Sequence, residues 1–86
     1  MDLHVNVAKP GDAARARDLI LQLARDNPDI LDQPEPMVFA EGLGAGGSPQ
    51  LSCWCYLADP RGAQRVRSDM YFALLQAFEA GRVAMI

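Results

Sequence analysis

Apolar and polar residues alternate over residues 2–7, with the apolar side chains at the odd positions. This period of two predicts a β-strand with one buried face. After a Pro-Gly-Asp turn the apolar spacing changes to that of a helix, which the sequence predicts from Ala13 to about Asn27, with Asp12 as its cap. Pro28 then ends the helix, because proline cannot continue one.

The rest of the chain has the same character, with apolar segments separated by turn residues. Residues 28–36 contain three prolines and are predicted to form a loop. The sequence then predicts a strand over residues 37–41, a glycine-rich turn over 42–49, a strand over 50–57, a helix from Asp59-Pro60 to about Ala80, and a short strand over 83–86. Gly81 stands where a left-handed helix cap is expected.

The predicted element order is β-α-β-β-α-β. With right-handed crossovers and one hairpin, this order gives a ferredoxin-like α+β fold: a four-stranded antiparallel sheet with both helices on one face. The 86 residues suffice for one domain, so residues 1–86 are assigned to a single unit. Many unrelated functions use this fold, so the fold alone does not determine the activity.

Composition narrows the functional class. The net charge is −3, and acidic and basic residues are interspersed, which disfavours a nucleic-acid partner because such proteins need a basic patch. No secretory signal and no membrane-spanning segment is predicted. The two cysteines are expected to be free, as in a reducing compartment. These features predict a module located in the cytoplasm.

No motif carries convincing catalytic or metal-binding chemistry. The glycines of residues 42–47 match G-x-G-x-x-G, but a strand follows them where a nucleotide site needs a helix. Cys53 and Cys55 supply two of the four ligands that a closed zinc site requires, so we expect them in the core. His4, the only histidine, has Asp2 as a potential surface partner. We therefore predict no catalytic residue, no metal and no cofactor.

A basic run at the start of the second helix has two interpretations. Arg61, Arg65 and Arg67 could bind a phosphate, or they could form a solvated helix face. The second interpretation is favoured because acidic residues alternate with them, and Asp69 stands four residues after Arg65.

Apolar residues outside the predicted core are the most informative feature. Phe72 and Leu75 lie off the inner stripe of the second helix, while Phe39, Trp54 and Tyr56 share the sheet face that no helix covers. Clustered exposed apolar side chains mark an interface. These five residues are the candidate protein-contact site.

Several segments together carry a resemblance to a known protein family. The most specific is the linker Asn27-Pro28 to Pro36, with Ile30-Leu31 and a final Pro-x-Pro before a strand. Further similarity lies in Val5-Asn6-Val7-Ala8, in Tyr56-Leu57-Ala58-Asp59, and in Val66-Arg67-Ser68-Asp69-Met70 followed by Ala and Phe. Together these segments extend over nearly the whole chain, and they resemble the C-terminal domain of small-conductance mechanosensitive channels, the MscS family.

The resemblance implies a structural and assembly domain that forms part of the cytoplasmic vestibule of a homo-heptameric channel. Such channels release solutes on hypo-osmotic shock, and ions and small solutes pass nearby. The pore helix and the β-rich middle domain of the family are absent, and Val83–Ile86 represents the family's Ile-x-Ile-Pro-Phe-Pro segment only in part. We therefore expect a fragment of a bacterial inner-membrane protein, with Met1 an added start and membrane contact only through the missing N-terminal part.

Two other classes stay open from the sequence. The first is a ferredoxin-like regulatory domain that binds a small molecule between the glycine-rich loop and the arginines. The second is a phosphatase-like enzyme, which ranks last because residues 8–12 hold no arginine for an anion-binding loop.

Overall fold

Three strands and two helices build the fold in a computed structural model, which describes residues 1–85. In chain order they are β1 (Asp2–Asn6), α1 (Ala13–Asp26), β2 (Met37–Leu43), β3 (Pro49–Trp54) and α2 (Ala63–Ala80). A short 3₁₀ turn precedes each helix, and a third one lies between β2 and β3. Both helices, and the strands at residues 2–6 and 37–43, lie close to the predicted positions.

The strands form an antiparallel sheet in the order β1-β3-β2. Leu3 and Val5 of β1 stand opposite Cys53 and Leu51 of β3, so these four side chains point to the same face. Both helices cover that face and contact each other. Within residues 1–85, no helix lies on the opposite face.

The core lies between the sheet and the two helices. Its buried helix residues recur at helical spacing on each inner face: Ala16, Ile20 and Ala24 on α1, and Val66, Met70, Leu74 and Phe78 on α2. Cys53 and Cys55 are free and buried in this core, as predicted. Every buried side-chain nitrogen and oxygen within residues 1–85 has a hydrogen-bond partner.

The predicted four-stranded sheet is wrong, because the last segment forms no strand in the described residues. A single bridge joins Met85 to Val7, and the Ala8 N–H donates to the Ala84 carbonyl at 2.8 Å. Farther along the outer edge of β1, the Tyr71 hydroxyl of α2 accepts the His4 N–H at 3.0 Å. A side chain thus occupies a position that a fourth strand would need. Ile86, the end of the predicted strand, lies outside the described residues.

The helix ends also differ in part from the prediction. Asp12 accepts no capping bond, whereas the Asp59 carboxylate accepts the Arg61 N–H at 3.0 Å. Gly81 has φ −83°, so it is not the left-handed residue; Arg82, with φ 58°, takes that role. The Val83 N–H bonds the Phe78 carbonyl at 2.8 Å and the Arg82 N–H bonds the Glu79 carbonyl at 3.1 Å, which is the pattern of a Schellman cap.

The segment after β3 leaves the sheet earlier than predicted. β3 ends at Trp54; Cys55 still pairs with Met1, and the residues after it pair with the proline-rich loop. The Leu31 N–H donates to the Tyr56 carbonyl at 2.8 Å, and Ile30 forms a bridge with Leu57. Ile30 is buried and anchors this loop to the core.

Within residues 1–85, neither helix combines the length and the apolar character that crossing a bilayer requires.

Phe78 and Phe72 provide a matched test of this core, because one helix buries the first and exposes the second. Phe78→Ala is expected to lower the free energy of unfolding by about 3–5 kcal/mol through lost burial and a cavity. Phe72→Ala should change it by no more than about 0.5 kcal/mol. Urea denaturation monitored by circular dichroism measures both; equal losses would contradict the described packing.

The left-handed conformation of Arg82 gives a second test. Arg82→Gly is expected to raise the free energy of unfolding by up to about 1 kcal/mol, because glycine adopts positive φ without steric cost. The same substitution at Arg17, within α1, should lower it by about 1 kcal/mol. Thermal and urea melts compare the two variants, and destabilisation by Arg82→Gly would contradict the described cap.

Candidate interaction surface

The helix-free side of the sheet carries an apolar patch made of Met37, Phe39, Trp54 and Tyr56, which we call the sheet-face patch. The three aromatic side chains are 50%, 47% and 55% exposed, in chain order. Together with Met1 and Cys55, the four residues line a groove of about 310 Å³. The sequence-predicted residues Phe39, Trp54 and Tyr56 are therefore brought together, and Met37 is the member that the sequence analysis missed.

Strand register explains why these side chains meet. Met37 stands opposite Trp54, and Phe39 stands opposite Ser52, so alternate residues of β2 and β3 project from the same face. Ser52 is buried on this helix-free side, and its hydroxyl accepts the Trp54 indole N–H at 3.1 Å. This hydrogen bond helps to fix the indole, so the patch has a defined shape.

A charged cluster lies on the same sheet face. The His4 imidazole contacts Asp2 through Nε2 and Glu41 through Nδ1, both at 2.8 Å. The Asp2 partner was foreseen from spacing, but Glu41 was not. The register shifts between Ala40 and Gly42, so Glu41 is the extra residue of a β-bulge, and bulges re-aim side chains in a way that alternation does not predict.

These contacts shift the ionisation of the cluster. The hydrogen bonds that the His4 ring donates to Asp2 and to Glu41 raise the pKa of His4 above its ordinary value, and the bond accepted from His4 lowers the pKa of Asp2. Protonated imidazole donates from both nitrogens, so it satisfies both carboxylates at once. The cluster therefore pairs charges between β1 and β2, and both ring nitrogens of His4 are engaged by carboxylates.

The two cysteines considered from the sequence are buried side by side in the core. The interaction with Cys55, together with burial, raises the pKa of the Cys53 thiol, whereas the same interaction lowers the pKa of Cys55 to about 7. The Cys55 thiol donates to the Met1 carbonyl at 3.8 Å.

The glycine-rich loop and the arginines lie at opposite ends of the sheet. Gly42 pairs with Gln50 near Asn6, whereas Arg67 lies 3.9 Å from Asp2 at the other end of β1. The loop closes as a hairpin, with Gly46 and Gly47 at positive φ. A small-molecule site built from both features is therefore not assembled in this structure.

The arginines at the start of α2 are engaged in exposed ion pairs. Arg65 contacts Asp69 at 3.3 Å, as the spacing predicts, and Asp29 at 3.4 Å. Arg61 contacts Asp59 at 3.1 Å, and its hydrogen bond lowers the pKa of that carboxyl group. These contacts fit the solvated helix face predicted from the sequence.

A second apolar surface lies on the flank of α2 and consists of Tyr71, Phe72 and Leu75; we call it the α2 patch. Phe72 is 66% and Leu75 50% exposed, as expected from their position off the inner stripe. The patch lines a groove of about 370 Å³, and Arg67 lies at one end of it. The five predicted contact residues are thus divided between two separate surfaces.

Comparisons with known proteins identify no family for this chain. No protein-family model matches it, and no curated protein is significantly similar to it. The resemblance to MscS channels therefore stays a prediction that rests on the residues quoted above.

The His4 cluster predicts a defined pH dependence. The raised pKa of His4 gives stability that is complete below its unfolded value of 6.5 and is lost as pH rises through the folded value. The lowered pKa of Asp2 gives stability that is present above 3.8 and is lost as pH falls. Melting curves recorded at a series of pH values test this. The melting temperature of His4→Gln should fall farthest below that of the unmodified protein between pH 3.8 and pH 6.5.

Nuclear magnetic resonance titration measures the cause directly. Glu41→Gln should lower the pKa of His4, because it removes one of the two carboxylates that hold the imidazolium. Glu79→Gln on α2 serves as the control and should leave the titration unchanged. An unchanged His4 pKa in Glu41→Gln would contradict the described contact.

Proposed function

We propose that this chain is a structural assembly domain, of the kind that forms the cytoplasmic vestibule of an MscS-type mechanosensitive channel in the bacterial inner membrane. The observation that carries the proposal is the sheet-face patch. A groove lined by three half-exposed aromatic residues, two methionines and Cys55, on the sheet face that neither helix covers, is suited to contact another protein.

The chemistry of the patch favours a protein partner. Aromatic residues and methionine are enriched in the centres of interfaces, and the aromatic rings bury much area at a small entropic cost. The charged groups beside the patch are Asp2, His4 and Glu41, in which one imidazole pairs with two carboxylates, so the cluster keeps a net negative charge. A nucleic acid would need basic side chains on this face, so it is a poorer partner.

The arrangement of the domain also supports an assembly role. The titratable groups on the sheet face are engaged with one another, and the two thiols are buried in the core. A vestibule wall requires a rigid domain that presents surfaces to its neighbours, and the homo-oligomeric partner implied by the family resemblance would supply such contacts. Under the MscS assignment, the domain would lie below the pore of the channel, and solutes would pass beside it on hypo-osmotic shock.

A chimeric channel tests the function. The C-terminal α/β domain of an MscS channel is replaced by this chain, and the chimera is produced in bacterial cells that lack mechanosensitive channels. We expect an assembled oligomer in detergent, tension-gated currents in patch-clamp recordings, and survival of hypo-osmotic shock. Failure to assemble, while a chimera with a second natural MscS domain assembles, would refute the channel assignment.

The sheet-face patch is tested within the same chimera. Phe39→Ser combined with Trp54→Ser should reduce the recovered oligomer severalfold, because the main apolar contacts are lost. Leu43→Ser is the matched control: Leu43 also belongs to β2 and is 73% exposed, but it lies outside the patch. Circular dichroism of the isolated domain establishes that each variant folds. Equal losses from Leu43→Ser would indicate that the patch has no special role.

A further inference from the structure

The α2 patch continues into a longer row of side chains along the helix. Arg67, Tyr71, Leu75 and Glu79 follow one another at intervals of four residues, so they lie in one row on the helix surface. Phe72 lies beside the row and is its most exposed aromatic neighbour. The row thus has a basic end, an apolar centre and an acidic end.

Two such rows that run in opposite directions complement each other, because the basic end of one row then faces the acidic end of the other. If a second copy of α2 lies antiparallel across a twofold axis midway along the row, Arg67 meets Glu79 of the other copy, and Tyr71 meets Leu75. Twofold contacts require such self-complementarity, because each residue pair occurs twice. From this charge and apolar pattern, we propose that the α2 patch binds the same patch of a second copy of this chain, forming an antiparallel helix–helix contact.

The ionic ends of the row are accessible for this contact. Glu79 is exposed, and the Arg67 side chain is 47% exposed, with its only ion pair in residues 1–85 at 3.9 Å from Asp2. Arg67 also lines the groove that contains Tyr71, Phe72 and Leu75. The partner's helix would fill this groove with apolar side chains and place a carboxylate beside the guanidinium group.

The size of the patch determines the expected affinity. Stable interfaces bury roughly 800 Å² on each partner, and three apolar side chains with two charged ends on one helix provide less. The dimer is therefore weak and populated at high protein concentration. It uses a different surface from the sheet-face patch, so it does not depend on the proposed channel function.

Sedimentation equilibrium of the isolated domain, from about 10 µM to about 1 mM, tests the dimer. Arg67→Glu alone and Glu79→Arg alone should each weaken dimerisation roughly tenfold, because each creates two like-charge contacts. The double variant Arg67→Glu with Glu79→Arg should regain most of the affinity. This recovery is specific to the antiparallel arrangement, because the exchanged charges meet again only if residue 67 faces residue 79 of the other copy.

Apolar substitutions complete the experiment. Phe72→Ser and Leu75→Ser should each weaken the dimer by at least about fivefold, whereas Leu43→Ser should not. Because all three side chains are exposed, the variants are expected to keep their circular dichroism spectra. A protein that stays monomeric at the highest concentration overturns the inference. So does a double charge variant without recovery, or a dimer lost in Trp54→Ser but kept in Phe72→Ser.

Discussion

The burial of one sheet face by two helices is the constraint on which the rest of the structure depends. Leu3, Val5 and Leu51 can leave water only if α1 and α2 lie across the same side of the sheet. Because both helices lie there, residues 1–85 hold no further helix to cover the other side. Phe39 and Trp54 therefore stay exposed. The sheet-face patch that we associate with function lies on the side of the sheet opposite the core.

Local polar contacts organise the uncovered face without closing it. The Trp54 indole is tied to Ser52, and His4 is held between Asp2 and Glu41. These contacts are exposed and individually weak, so they shape the surface more than they stabilise the fold. The result is an apolar groove beside a charge cluster of net negative charge, and this is the surface that we propose contacts another protein.

The outer edge of β1 shows how a side chain can replace a strand. Tyr71 places its hydroxyl on the His4 N–H, and the segment after α2 reaches β1 only at Val7 and Ala8. The same helical turn therefore closes the sheet edge and presents Phe72 to solvent. The edge of the sheet and the α2 patch are linked through one residue, although the two proposed contact surfaces remain separate.

The sequence by itself determined the elements that depend on short-range patterns. Alternation located β1, helical spacing located the inner faces of both helices, and the same spacing identified Phe72 and Leu75 as exposed. The i,i+4 pair of Arg65 and Asp69 was predictable for the same reason. These features depend only on the regular repeat of side chains along one strand or one helix, and this repeat can be read from the sequence of that segment alone.

Only the tertiary structure decided the features that depend on distant residues. The predicted number of strands was wrong because Tyr71 occupies the edge of β1. The pattern of apolar residues over 83–86 could not show this. Glu41 joined His4 through a bulge, and Arg82 rather than Gly81 became left-handed because the bonds of its neighbours fix the helix end. In each case, groups that are distant in the sequence compete for the same backbone or side-chain hydrogen-bonding partner. The pattern of residues along the chain does not show which group wins.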